Sequence, residues 1–219
     1  MDIFLQQLIN GLVLGSVYAL VALGYTMVYG ILELINFAHG EITMMGAMVA
    51  LSVIGALALA APGLPGVLVL GAGLVVAIPV CVALGLLIER VAYRPLRHAP
   101  RLAPLITAIG VSIILQNVAM LIWGKQYLPF PAILPQGRHT LYGASITDVQ
   151  IAILLLATAI MLLLILMVQK TRLGRAMRAT AQSRQVASLM GVDVNRVIAA
   201  TFAIGSALAA VAGVMVSAY

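Results

Sequence analysis

Basic residues in this chain are confined to a few places. Ten of its twelve Lys and Arg residues lie in two short stretches, Arg90 to Arg101 and Lys170 to Arg196. No Asp, Glu, Lys or Arg occurs from Ile3 to Leu32, Ile42 to Ile88, Leu102 to Gly124, Val149 to Gln169, or Val197 to Tyr219. A hydrocarbon core about 30 Å thick is crossed by about 20 apolar residues of helix, each rising about 1.5 Å. Every one of these runs is long enough. The second holds two spans, because Pro62-Gly63-Leu64-Pro65-Gly66 places a turn near its middle. The prediction is an all-α, polytopic transmembrane bundle of about six spans. Composition excludes the soluble alternative: 63% of residues are hydrophobic and 8% charged, against about 25% charged in an ordinary soluble domain.

The cations also orient the bundle, because Lys and Arg beside short loops stay on the cytoplasmic side. Arg90, Arg94, Arg97 and Arg101 mark one inner loop; Lys170, Arg172, Arg175, Arg178, Arg184 and Arg196 mark the other. Two spans separate these loops, so Lys125 to Asp148 lies outside, as does the uncharged turn at 62–66. The net charge of +6 is what orientation requires. Nucleic-acid binding is excluded, because the cations flank spans and no aromatic residues are interleaved with them to stack on bases. Cys81 is the only cysteine, so neither a disulfide framework nor a Cys-rich metal site is expected. Met1-Asp2-Ile3 lacks the positive start of a secretory signal, so the first run is expected to stay as a span. The last run ends without a polar tail, and the chain is expected to be the N-terminal portion of a longer membrane domain, truncated at its C-terminus.

Helices in lipid approach closely through small residues. Gly11 and Gly15 in the first span, and Gly205, Ala209 and Gly213 in the last, are expected to pack in this way. The segment Glu33-Leu34-Ile35-Asn36-Phe37-Ala38-His39-Gly40-Glu41 is of a different kind. It sets two carboxylates, an imidazole and an amide between apolar runs, and such groups in a membrane need water, a partner or a pore. It reads as a broken or re-entrant segment facing a polar path; the alternative is a hydrated cytoplasmic turn. Asn36, His39, Gly40 and Glu41 are the candidate pathway residues, joined by Gln116 and Asn117 toward the outer end of the fourth span, with Thr107 and Ser112 below them; for these last four the alternative, and the commoner use of such residues, is bonding to a neighbouring helix. No zinc set is spaced here.

The second inner loop, Thr171 to Val192, reads as two short helices, Gly174 to Ala181 and Ser183 to Met190. Ser183 serves as N-cap and Gly191 as C-terminal cap. The second is a rod of about 12 Å, with Val186, Ala187, Leu189 and Met190 forming an apolar face flanked by Arg178 and Arg184. Such a face lies on lipid headgroups or docks in a groove of a cytoplasmic partner. The small residues Ala179, Ala181, Ala187 and Gly191 favour the groove.

Two segments carry a family resemblance: Ile35-Asn36-Phe37-Ala38-His39-Gly40-Glu41 with Met45-Gly46-Ala47, and Gly174-Arg175-Ala176-Met177-Arg178-Ala179 leading to Ala187-Ser188-Leu189-Met190-Gly191-Val192. Glu89 to Arg97 and Ala108 to Asn117 match as well. The chain resembles the permease subunits of branched-chain amino acid ABC importers, the LivH type, over its whole length. The resemblance implies an inner-membrane subunit paired with a second, related permease. It further implies two ATP-binding subunits below and a periplasmic substrate-binding protein above, with leucine, isoleucine and valine as the commonest cargo and urea or short amides as the alternative. It also makes Gly174, Arg175, Ala179, Ala181, Ala187, Leu189 and Gly191 the segment that couples to the ATPase. Gln182 departs from the acidic residue common there.

The chain lacks G-x-x-x-x-G-K-[ST], so it carries no nucleotide cofactor of its own, and ATP belongs on partner subunits. No H-E-x-x-H and no paired nucleophile and base are present, so it is not read as an enzyme. The competing class is an ion-coupled secondary transporter in which Glu33, His39 or Glu41 carries a proton.

Overall fold

The computed structural model describes residues 2–97, 99–100, 102–131, 137–141 and 144–219; Arg101 of the first inner loop lies outside them. The helices run in the order α1 (Asp2–Leu32), α2 (His39–Ala60), α3 (Gly66–Ile88), α4 (Leu102–Trp123), α5 (Asp148–Lys170), α6 (Arg172–Gln182), α7 (Arg184–Leu189) and α8 (Val194–Ala218). A π-helical turn, Glu89–Tyr93, prolongs α3. Six of these, α1 to α5 and α8, are long and apolar enough to cross a membrane. In lipid the helix is the only open structure that satisfies its own backbone. The expected six spans are therefore present, each within a few residues of its charge-free run. Between α4 and α5, β1 (Arg138–Leu141) and β2 (Ala144–Thr147) pair as an antiparallel hairpin, a small departure from all-helix.

Local chemistry sets the ends. Residues 61–65, with their two prolines, separate α2 from α3. Thr147 and Gln150 form a reciprocal capping box that starts α5. Asp193 caps α8 through the Arg196 N–H at 3.1 Å. Gln6, near the outer end of α1, accepts the Ser145 N–H at 2.7 Å and donates to the Ser145 carbonyl at 3.0 Å, pinning the hairpin.

Helix α8 is the axis of the bundle, buried along most of its length and packed against α1, α2 and α3. Its small residues make this possible. A Cβ on Gly213 would stand 2.1 Å from the Thr43 carbonyl of α2, and one on Gly205 would stand 3.1 Å from the Gly24 carbonyl of α1. Ala209 is fully buried between them. Gly11 and Gly15 behave otherwise: apart from their own helix backbone, nothing among the described residues lies within 4 Å of where their Cβ would be. The side of α1 that carries Val13, Val17 and Leu20 is the buried one, and at 3.6 residues per turn, about 100° each, it turns the two glycines outward. Helix α5 packs on α1, and α4 rests on α2 and the π-turn.

Candidate functional site at the inner end of the bundle

Residues 33–38 form an irregular link between α1 and α2. Glu33 takes a left-handed φ of 55° and donates its N–H to the Tyr29 carbonyl at 2.7 Å, closing α1 as a left-handed cap does. The chain then folds back along α1. His39, the first residue of α2, lies against Gly24, where a Cβ would come within 2.8 Å of the imidazole. Gly24 is eight residues, about 12 Å, short of the end of α1. Asn36 and His39 are each only 2% exposed, so the segment is not a hydrated turn; Glu33, Ile35 and Phe37 face out. The Asn36 carbonyl accepts the His39 N–H at 3.1 Å, and its side-chain oxygen accepts the Tyr93 hydroxyl at 3.0 Å. The His39 ring meets Tyr25 edge-on with centroids 6.1 Å apart, and its Nε2 has no hydrogen-bond partner among the described residues.

Two further candidates come together across helices. Glu41 accepts from the Ser112 hydroxyl at 2.9 Å and from Gln116 Nε2 at 2.7 Å, tying α2 to α4. Asn117 instead donates to the Ile113 carbonyl of its own helix at 2.8 Å, and Gly40 is exposed with no atom within 4 Å of a Cβ position. These two join neither group. Among the described residues no three His, Cys, Asp or Glu side chains are placed to share a metal ion.

Sequence reasoning missed Glu89. This carboxylate is 1% exposed, with Arg94 on both its oxygens at 3.0 and 3.3 Å and Arg97 on Oε1. Arg97 also donates to Asn195 in the first turn of α8. Burial holds the Arg97 guanidinium below its ordinary pKa, and the Glu89 charge pulls the other way. A buried carboxylate persists only when paired on this scale. The sequence signal was present: Glu89 is the one acid among the cations of this loop, directly after an uncharged run.

The second inner loop folds as two helices, with bounds slightly different from those expected. Thr171 caps α6 by accepting the Gly174 N–H at 3.0 Å, and Ser183 caps α7 by accepting the Val186 N–H at 3.3 Å. Helix α7 ends in a Schellman motif: Val192 donates to the Ala187 carbonyl and Gly191 to Ser188, both at 3.0 Å, with Gly191 at φ 81°. Six residues make it a rod of about 9 Å, shorter than predicted. Leu189 and Met190 are 84% and 80% exposed, and Val186 is exposed beside them. Arg175, Ala181 and Gly191 are also exposed, and Ala179 is half-buried. Gly174 and Ala187, placed by sequence on the coupling surface, instead face inward. Gly174 meets the carbonyls that end α5, and Ala187 is the one α7 side chain in the core. Arg178 and Arg184 do not flank the apolar face as free cations. Arg178 donates to the Val168 carbonyl, and Arg184 donates through Nε and Nη2 to the Ile31 carbonyl at 3.2 and 3.0 Å.

Six spans around a buried axis, a polar break inside one end and an exposed apolar helix at that same end define a polytopic membrane permease. The chain belongs to the branched-chain amino acid ABC transporter permease family. Residues 7–219 match the family described as "Branched-chain amino acid transport system / permease component". It is 48% identical over 216 residues to the high-affinity branched-chain amino acid transport system permease protein LivH of Escherichia coli K12, covering 97% of this chain and 70% of that relative. The permease protein BraD of Pseudomonas aeruginosa PAO1 is 48% identical over 217 residues with the same coverage. A probable LivH of Methanocaldococcus jannaschii is 28% identical over 218 residues. No solved structure matches the chain. The spans and these relatives make it a multi-pass protein of the bacterial inner membrane.

Proposed function

We propose that this chain is the membrane permease of an ATP-driven importer for leucine, isoleucine and valine. It works beside a second, related permease, with two ATP-binding subunits on the cytoplasmic side and a periplasmic binding protein delivering solute. The relatives' names support the cargo. The observation that carries the coupling is α7, whose Val186, Leu189 and Met190 are exposed, with nothing among the described residues covering them. A short, capped helix that presents an apolar face suits a groove on a protein.

In this reading ATP binding closes the two cytoplasmic subunits, which press on α7, and the spans rock to open the path on the other side. No nucleotide chemistry falls to this chain. Asn36, His39, Glu41 and Gln116 are the polar groups assigned to the path, Glu41 being held by Ser112 and Gln116. Leu189→Glu tests the docking. Its side chain is exposed, so the permease itself should fold, while the groove would have to bury an unpaired carboxylate. Co-purification of the ATP-binding subunits should fall at least about tenfold, the factor for about 1.4 kcal/mol. Undiminished assembly would remove the proposal.

A further inference from the structure

The exposed helix and the buried break are joined by a closed circuit of side-chain bonds. Helix α7 has a non-helical joint on each side. Ser183, fully extended at φ −161° and ψ 114°, separates it from α6, and the Gly191 turn separates it from α8. A helix between two such joints moves as one piece. Its first residue, Arg184, holds the Ile31 carbonyl, one of the last four carbonyls of α1, which have no partner within their own helix. Two residues further on, the chain leaves α1 and turns back to Asn36 and His39. Asn36 is held by the Tyr93 hydroxyl. Tyr93 shares its π-turn with Glu89, Glu89 holds Arg97, and Arg97 holds Asn195 in the first turn of α8, four residues past Gly191. The bonds of Arg184 to Ile31, Tyr93 to Asn36 and Arg97 to Asn195 join elements 153, 57 and 98 residues apart in sequence, while Glu89 and Arg97 close the circuit locally. A π-turn is also the kind of helix irregularity that recurs at functional sites.

Building on the reading above, we propose that Arg184 and Tyr93 are positioning residues for transport: Arg184 transmits displacement of α7 to the α1–α2 break, and Tyr93 fixes the orientation of Asn36 within it. Neither contacts nucleotide or the groove partner through the bonds described. Their loss therefore leaves ATP turnover in place and uncouples it from solute movement.

Two variants separate this from a purely structural role. Tyr93→Phe removes only the hydroxyl and keeps the ring packed on Phe202, whose centroid is 5.3 Å away. Arg184→Gln removes the fork on Ile31. In proteoliposomes holding the complete complex, with labelled leucine as the solute, each variant should assemble and hydrolyse ATP within about twofold of the unaltered protein. ATP consumed per leucine should rise about fivefold, the factor for about 1 kcal/mol of coupling. Because Arg184 and Tyr93 lie on the two arms of the circuit, the double variant severs both and should raise ATP per leucine further than either single variant. Should Arg184→Gln fail to assemble, Tyr93→Phe decides alone. Unchanged ATP per leucine overturns the linkage while leaving the proposed function standing, whereas Leu189→Glu assembling normally overturns the function itself.

Discussion

Replacing Gly174 with alanine should loosen the seat of α6 on the end of α5 through a single methyl group. The new Cβ would stand 2.1 Å from the Val168 carbonyl oxygen and 2.5 Å from that of Met167. Both neighbours are backbone at the end of α5, so no rotamer change relieves the clash. Contacts under 3.0 Å are essentially never seen for a Cβ, so α6 must retreat by at least about 0.9 Å. That movement strains the Thr171 cap on the Gly174 N–H and the Arg178 bond to Val168. Overpacking costs about 1 to 3 kcal/mol and loss of a cap about 1 kcal/mol. Together they shift the docked position of α6 by at least about 2 kcal/mol, or about thirtyfold. Hydrogen exchange of the α6 amides in the purified permease reads this directly. Gly15→Ala, where the Cβ meets open space, is the control and should exchange as the unaltered protein does. If α6 in Gly174→Ala exchanged no faster than in that control, the seating of α6 on α5 would not depend on the close approach.

Glu89→Gln leaves Arg94 and Arg97 without their carboxylate. Breaking a buried ion pair from one side costs about 3 to 5 kcal/mol, so the yield of folded protein in membranes should drop sharply, and a normal yield with normal thermal stability would contradict the burial argument. Gln6→Ala removes three hydrogen bonds with Ser145, worth about 3 kcal/mol at about 1 each; exchange at residues 144–147 should quicken while α8 is unaffected. In whole cells, a cysteine at exposed Leu189 should react with an impermeant maleimide only after the inner membrane is opened, and one at exposed Tyr127 should react without opening; reversal of the two would invert the topology.

The spans were legible because bilayer thickness imposes a length on any charge-free run, and the caps Ser183 and Gly191 because capping is local chemistry. What the sequence hid was pairing at a distance. Glu41 was visible as a polar residue near the membrane, but its bonds to Ser112 and Gln116 cross 71 and 75 positions. Glu89 sat in a basic loop that parity alone explained, and its partners lie five and eight residues on, not at the three or four spacing of an α-helix surface, because the π-turn alters the register. Gly11 and Gly15 show the converse error. Small-residue spacing reports that a close approach is possible, and only the orientation of α1 decides whether this chain supplies the neighbour. Likewise Ala187 and Leu189 are two apart on a helix and so face different ways, which splits a segment that reads as one surface.

On the proposed function, motion of α7, driven by ATP on its own face, moves solute through these spans. Uptake of labelled leucine by proteoliposomes carrying the complete complex and its binding protein tests it most directly. Uptake should require ATP on the side bearing α7 and should persist when a protonophore abolishes ion gradients. Full uptake without nucleotide, or uptake that collapses with the protonophore while ATP is present, would contradict the account.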